Sequence, residues 1–167
     1  MQILFLPEWA TVVLFFIVWL VLQVGAALIA LRVPDGRLNP DAFLFRTRPW
    51  ENDGRIYDRL FAVRRWKGLL PDGGAAWKRR GYRKKKLTDL TQENLERFLL
   101  ESARAELTHL LAIAPFWVFG FFAPPSVIWI MLMYALAVNL PCVVAQRYNR
   151  PRVRALLGRL YPNSPLA

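Results

Sequence analysis

Two long stretches of this chain contain no Asp, Glu, Lys or Arg: residues 9 to 31 and residues 107 to 146. A helix needs about 20 mostly apolar residues to cross the hydrocarbon of a bilayer, so the first stretch supplies one span and the second has length for two. The pattern predicts an all-α integral membrane protein: three transmembrane helices at about 9–31, 106–122 and 126–145, joined in a single membrane domain over 1–167. The first stretch lacks a basic lead and exceeds the apolar core of a signal peptide, so a retained anchor is expected. Its one strongly polar interior residue, Gln23, reads as a helix-packing amide.

Between the spans the period changes. Val33-Pro34-Asp35-Gly36 ends the first span, because proline cannot continue the helix and Asp-Gly turns the chain. Asn39 to Trp50 interleaves aromatic rings with arginines, which suits an interfacial segment with rings at headgroup depth. Glu51-Asn52-Asp53-Gly54 reads as a turn. Arg55 to Trp66 then reads as a short amphipathic helix with Ile56, Tyr57, Leu60 and Phe61 on one face, closed by the breakers of Gly68 to Gly74. From Thr88 a longer helix begins, capped by Thr88 or Asp89, with Leu95, Phe98, Leu99 and Ser102 at helical spacing and Arg97 paired to Glu93 and Glu101. It runs without a breaker into the second span, where Pro115 predicts a kink. Pro124-Pro125 makes the turn to the third.

The distribution of charge orients this arrangement. All 23 Lys and Arg lie between Arg32 and Arg104 or between Arg147 and Arg159. The positive-inside rule therefore makes the loop 32–105 and the tail 146–167 cytoplasmic and the N-terminus external. A net charge of +11 would suggest nucleic acid in a soluble protein. Beside membrane spans, anionic lipid headgroups are the expected partners and nucleic acid is not. The densest basic run, Trp77 to Lys86, reads as a lipid-attracted face, or more sharply as a dock for the phosphates of a donor substrate. No phosphate-binding loop of recognised spacing accompanies it. The single cysteine, Cys142, excludes an internal disulfide.

The candidate chemistry sits where charge gives way to hydrocarbon. Glu106 and His109, the only histidine, are three residues apart on one helix and so neighbours. A carboxylate beside an imidazole makes a general base, with Glu106 fixing the tautomer. One histidine is too few for the paired Glu-x-x-His motifs of a di-metal site, and no metal is expected. The end of the third span brings Asn139, Gln146, Arg147, Tyr148, Asn149, Arg150 and Arg152 to the same depth. With Arg104 they are candidates for substrate binding, Asn139 and the arginines for a phosphate or an oxyanion. The plainer account is a helix-end pair with positive-inside anchors.

Val33-Pro34-Asp35, the segment Trp66-Lys67 to Leu70-Pro71-Asp72-Gly73, Glu101 to His109, Asn139-Leu140-Pro141 and Gln146 to Arg152 follow one another as in the glycosyl-4,4'-diaponeurosporenoate acyltransferase family, which the chain resembles over roughly residues 30 to 155. The resemblance implies a bacterial cell-membrane enzyme that transfers a fatty acyl group to a hydroxyl of a glycosylated lipid, as in the last step of staphyloxanthin-type carotenoid synthesis. No permanently bound cofactor is then expected. Acyl-CoA or an acyl carrier protein would be the co-substrate and a glycolipid the acceptor, with oligomerisation open. The alternative is a non-catalytic membrane adaptor or lipid-binding protein that uses its basic loop.

Overall fold

The computed structural model describes residues 2–70 and 89–167. The basic run Trp77 to Lys86, the breakers from Pro71 to Gly74 and the Thr88 cap lie outside them. The chain divides into two compact units: residues 1–32 with 107–141, and residues 33–106 with 142–167. All regular structure among the described residues is helical. The α-helices are α1 (Glu8–Arg32), α2 (Arg55–Phe61), α3 (Val63–Trp66), α4 (Gln92–Ile113) and α5 (Pro125–Leu160).

The first unit is apolar. Among the described residues two helices, α1 and α5, are long and apolar enough to cross a membrane. In the most apolar window of α1 only 6% of residues are buried, and Phe16 and Leu20 point outward. A core helix of a water-soluble protein would bury such residues, so this surface suits lipid. Trp19 of α1 packs on Tyr134 of α5 at 5.0 Å between ring centres. Phe15 lies against Phe119 and Phe122. The backbone N–H groups of Ile3 and Leu4 both donate to the Phe121 carbonyl. These contacts set α1 and α5 side by side in the same direction. The expected kink at Pro115 is a change of helix type: α4 ends at Ile113, and 3-10 turns over Ala114–Phe121 follow, with Pro115 at φ −85°, ψ 21°. The stretch expected as the second span is thus part α-helix and part 3-10 helix.

The second unit is a helical pair with a loop wrapped on it. Leu95, Phe98 and Leu99 of α4 pack on Val153 and Leu157 of α5, a seam built from positions three and four apart. Asp89 organises the entry to α4, its carboxylate accepting from the Thr91 N–H and hydroxyl. The single helix expected from Arg55 to Trp66 is instead two. Ala62 adopts a left-handed conformation (φ 48°, ψ 43°), and the Asp58 carboxylate accepts from the Arg64 N–H at the start of α3. The break splits the expected apolar face. Ile56, Tyr57 and Val63 pack on Val144 and Tyr148, while Leu60 and Phe61 are exposed.

The turn before α2 depends on glycine. Gly54 has φ +77°, and a Cβ there would lie 2.9 Å from the Arg147 carbonyl oxygen and 3.1 Å from the Tyr148 Cα. Backbone strain and a clash with backbone coincide, so Gly54→Ala should destabilise the protein by about 1–3 kcal/mol. Gly25→Ala, where a Cβ meets nothing within 4 Å, should be neutral or slightly stabilising. Thermal unfolding of the two detergent-solubilised variants checks the contrast.

Candidate functional site

In the first unit the polar centre is His109 with Asn139. Asn139 is fully buried in α5, and its amide is oriented by its own helix: Nδ2 donates to the Ala135 carbonyl at 3.0 Å. The Oδ1 atom therefore faces the imidazole, 2.9 Å from His109 Nδ1. An amide oxygen only accepts, so Nδ1 carries a proton; in the neutral ring the lone pair then lies on Nε2. A neutral imidazole in this tautomer can take a proton at Nε2 while Asn139 holds the ring. Gln23 of α1 belongs to the same unit, and its Nε2 is buried without a hydrogen-bond partner.

In the second unit Glu106 is the centre of an ion-pair network. Its side chain is fully buried, one oxygen accepting from Arg147 Nε at 2.7 Å and the other from Arg150 Nη2 at 2.6 Å. Arg147 continues to Glu51 Oε1 and the Leu44 carbonyl, both at 2.6 Å. Arg150 reaches the Phe45 carbonyl at 2.6 Å and Ser102 Oγ at 3.3 Å. Two carboxylates and two guanidiniums leave this network neutral, which offsets the cost of drying four charges. Helical periodicity explains the selection. On α5, Arg147 and Arg150 are three apart and face Ser102 and Glu106 on α4, four apart, extending the apolar seam into a polar one. Tyr57 stands beside the network. Burial, then the charge of Glu51, raises its pKa to about 12 against the opposing pull of Arg147.

The remaining candidates from the sequence fall in the second unit. Arg104 bridges Glu101, Asp35 and the Val33 carbonyl, and Arg97 joins Asp35 and Glu101. Tyr148 and Arg152, four apart, lie on another face of α5, the guanidinium stacked on the ring. Asn149 accepts from Lys67 Nζ at 2.7 Å. Gln146 Oε1 is buried without a hydrogen-bond partner. The structure thus joins His109 to Asn139 in one unit, and Glu106 to Arg147 and Arg150 in the other. Among the described residues, no three His, Cys, Asp or Glu side chains gather where a metal ion could be held.

Three participants were not assigned a site from the sequence. Glu51 was read only as part of a turn, although an acidic residue inside so basic a loop is itself a signal. Lys67 sits among helix breakers, and Gln23 reads in sequence as a packing amide.

The family model described as glycosyl-4,4'-diaponeurosporenoate acyltransferase matches residues 41–159. Proteins of that name from Staphylococcus aureus strains bovine RF122 / ET3-1 and MRSA252 are each 33% identical over 139 residues, 83% of either chain. The protein of that name from strain USA300 is 32% identical over the same share. No solved structure matches the chain.

Removing Arg150 deprives a buried carboxylate of one of its two cations, so Arg150→Ala should cost about 3–5 kcal/mol. Arg154→Ala breaks a pair with Asp41, whose side chain is half exposed, and should cost less than about 1 kcal/mol. Unfolding in graded denaturing detergent measures both.

Proposed function

We propose that this chain, which belongs to the glycosyl-4,4'-diaponeurosporenoate acyltransferase family, is a membrane O-acyltransferase that moves a fatty acyl group from a thioester donor onto a hydroxyl of a glycosylated lipid. Glycosylated carotenoid is the acceptor named for its relatives and the one proposed for it. Acyl-CoA or an acylated carrier protein is the proposed donor. The observation that carries the chemistry is the imidazole of His109, held by Asn139 with its lone pair on Nε2.

In the proposed reaction His109 Nε2 takes the proton of the acceptor hydroxyl as its oxygen attacks the thioester carbonyl. The new C–O bond forms and the carbonyl electrons move onto oxygen. Collapse of this intermediate re-forms the carbonyl and breaks the C–S bond. The proton on His109 passes to the departing thiolate, and ester and free thiol leave. Asn139 is a positioning residue that stabilises the imidazolium through its Oδ1. Gln23 Nε2, a buried donor without a partner, is the group assigned to the oxyanion. Arg147 and Arg150 are assigned to architecture rather than to substrate, because Glu106, Glu51 and the loop carbonyls engage them.

Depth along the helices supports this grouping. At 1.5 Å per residue Asn139 is about 21 Å along α5 from Pro125 and Gln23 about 22 Å along α1 from Glu8. The two helices run the same way, so both amides fall in one layer, past the middle of a bilayer about 30 Å thick. The proposed topology keeps three spans: α1, the composite stretch over 106–122, and the first part of α5. The N-terminus is outside and both basic segments are cytoplasmic. The exposed Trp9, Trp117 and Trp129 would then lie at the outer interface.

Purified protein supplied with an acyl thioester and a glycosylated carotenoid should form the ester. His109→Ala should lower kcat by about 10²- to 10⁴-fold with the fold intact. Asn139→Leu should lower kcat more than it raises KM. Full turnover by His109→Ala would remove the base from the mechanism.

A further inference from the structure

Carboxylates take up most arginines of the second unit whose contacts are described above, but one group of cations has little to balance it. Arg64, Lys67 and Arg152 converge on Tyr148. The Arg152 guanidinium carbon lies 3.6 Å and Lys67 Nζ 4.7 Å from the centre of the Tyr148 ring. Arg64 Nε donates to the Tyr148 hydroxyl at 3.2 Å, and Lys67 Nζ donates to Asn149 Oδ1 at 2.7 Å. Among the described residues the carboxylate paired with this group is Asp58, which lies 3.1 Å from Arg64 Nε. Three positive charges and one negative leave an excess of two.

Such a cluster opposes itself. Burial lowers the Lys67 pKa below the ordinary lysine value, and Arg152 and Arg64 lower it further, against the pull of Asp58. The electron-rich face of Tyr148 attracts both cations and so offsets part of the repulsion. Contrast with the Glu106 network is instructive: there buried arginines meet a matching number of carboxylates. The Tyr148 ring, itself 3% exposed, is a fixed platform. It holds an ammonium and a guanidinium on a partly open surface with no second carboxylate among the described residues. A planar guanidinium and a compact ammonium together suit the oxygens of a phosphate.

We infer that Arg64, Lys67 and Arg152, arranged on Tyr148 and Asn149, form a binding site for a phosphate group. The phosphate belongs either to a soluble thioester donor or to a lipid headgroup. Binding there is read without turnover, so the site can be tested whether or not the proposed acyl transfer holds.

The test is equilibrium binding by the full chain, solubilised in uncharged detergent for coenzyme A and reconstituted in phosphatidylcholine vesicles with or without phosphatidylglycerol for the lipid. Lys67→Gln/Arg152→Gln should weaken one of the two interactions about tenfold or more. Arg64→Gln, whose side chain is 72% exposed, should weaken it less and leaves the fold undisturbed. Lys67→Arg should retain binding, and Arg159→Gln, a charge removed elsewhere, should not alter it. Loss confined to coenzyme A assigns the phosphate to a soluble donor, and loss confined to phosphatidylglycerol assigns it to a headgroup; both support the site. The inference is overturned if folded double variant and Arg64→Gln bind both probes like the parent protein. An Arg159→Gln variant that loses as much as the double variant overturns it too, because net charge alone would then explain binding.

Discussion

The carboxylate of Glu106, gripped by Arg147 through one oxygen and by Arg150 through the other, is the interaction on which the second unit depends. Each arginine also holds a loop carbonyl, of Leu44 or of Phe45, and Arg147 holds Glu51 as well. One buried charge thus ties α4, α5 and the loop 44–51 together. Glu106 cannot be lost without leaving Arg150 short of its carboxylate and Arg147 with Glu51 in place of two, and neither cation without leaving a buried carboxylate short of a partner. Gly54 extends the constraint along the backbone, because only a residue without a Cβ brings the turn this close to the Arg147 and Tyr148 backbone.

The segment Gln146 to Arg152 reads in sequence as one basic cluster, and on a helix it is two. Arg147 and Arg150 turn toward Ser102 and Glu106, while Tyr148 and Arg152 carry their charge to the side where Lys67 and Arg64 lie. One face is electrically closed and suits a structural role. The other retains positive charge and suits an anion. The separation follows from 3.6 residues per turn and from where the acidic residues fall: among the described residues Glu51 and Glu106 serve the first face and Asp58 the second.

Much of the fold was legible because burial in a membrane and helical periodicity leave strong signals. The end of α1 before Pro34, the change of backbone at Pro115 and the seam of Leu95, Phe98 and Leu99 all follow from residue type and spacing. The division between α2 and α3 was not legible, since nothing in Phe61-Ala62-Val63 announces a left-handed alanine; the cap from Asp58 stabilises it across six residues. The candidate site was legible only in part. His109 and Asn139 each stand out by residue type, but their pairing depends on which way a buried amide faces, and that is set by the Ala135 carbonyl. Sequence spacing put Glu106 beside His109, whereas the distant Arg147 and Arg150, 41 and 44 residues away, take up its oxygens. Pairing across helices is decided by packing, which spacing along one helix does not report.

The proposed base chemistry needs the neutral His109 ring to carry its proton on Nδ1 and its lone pair on Nε2. It is the only histidine in the chain, so ring-nitrogen labelling followed by NMR gives an unambiguous signal. Folded protein at neutral pH should show a protonated Nδ1 and an unprotonated Nε2, with the preference lost in Asn139→Leu. A proton on Nε2 with Nδ1 bare would contradict it.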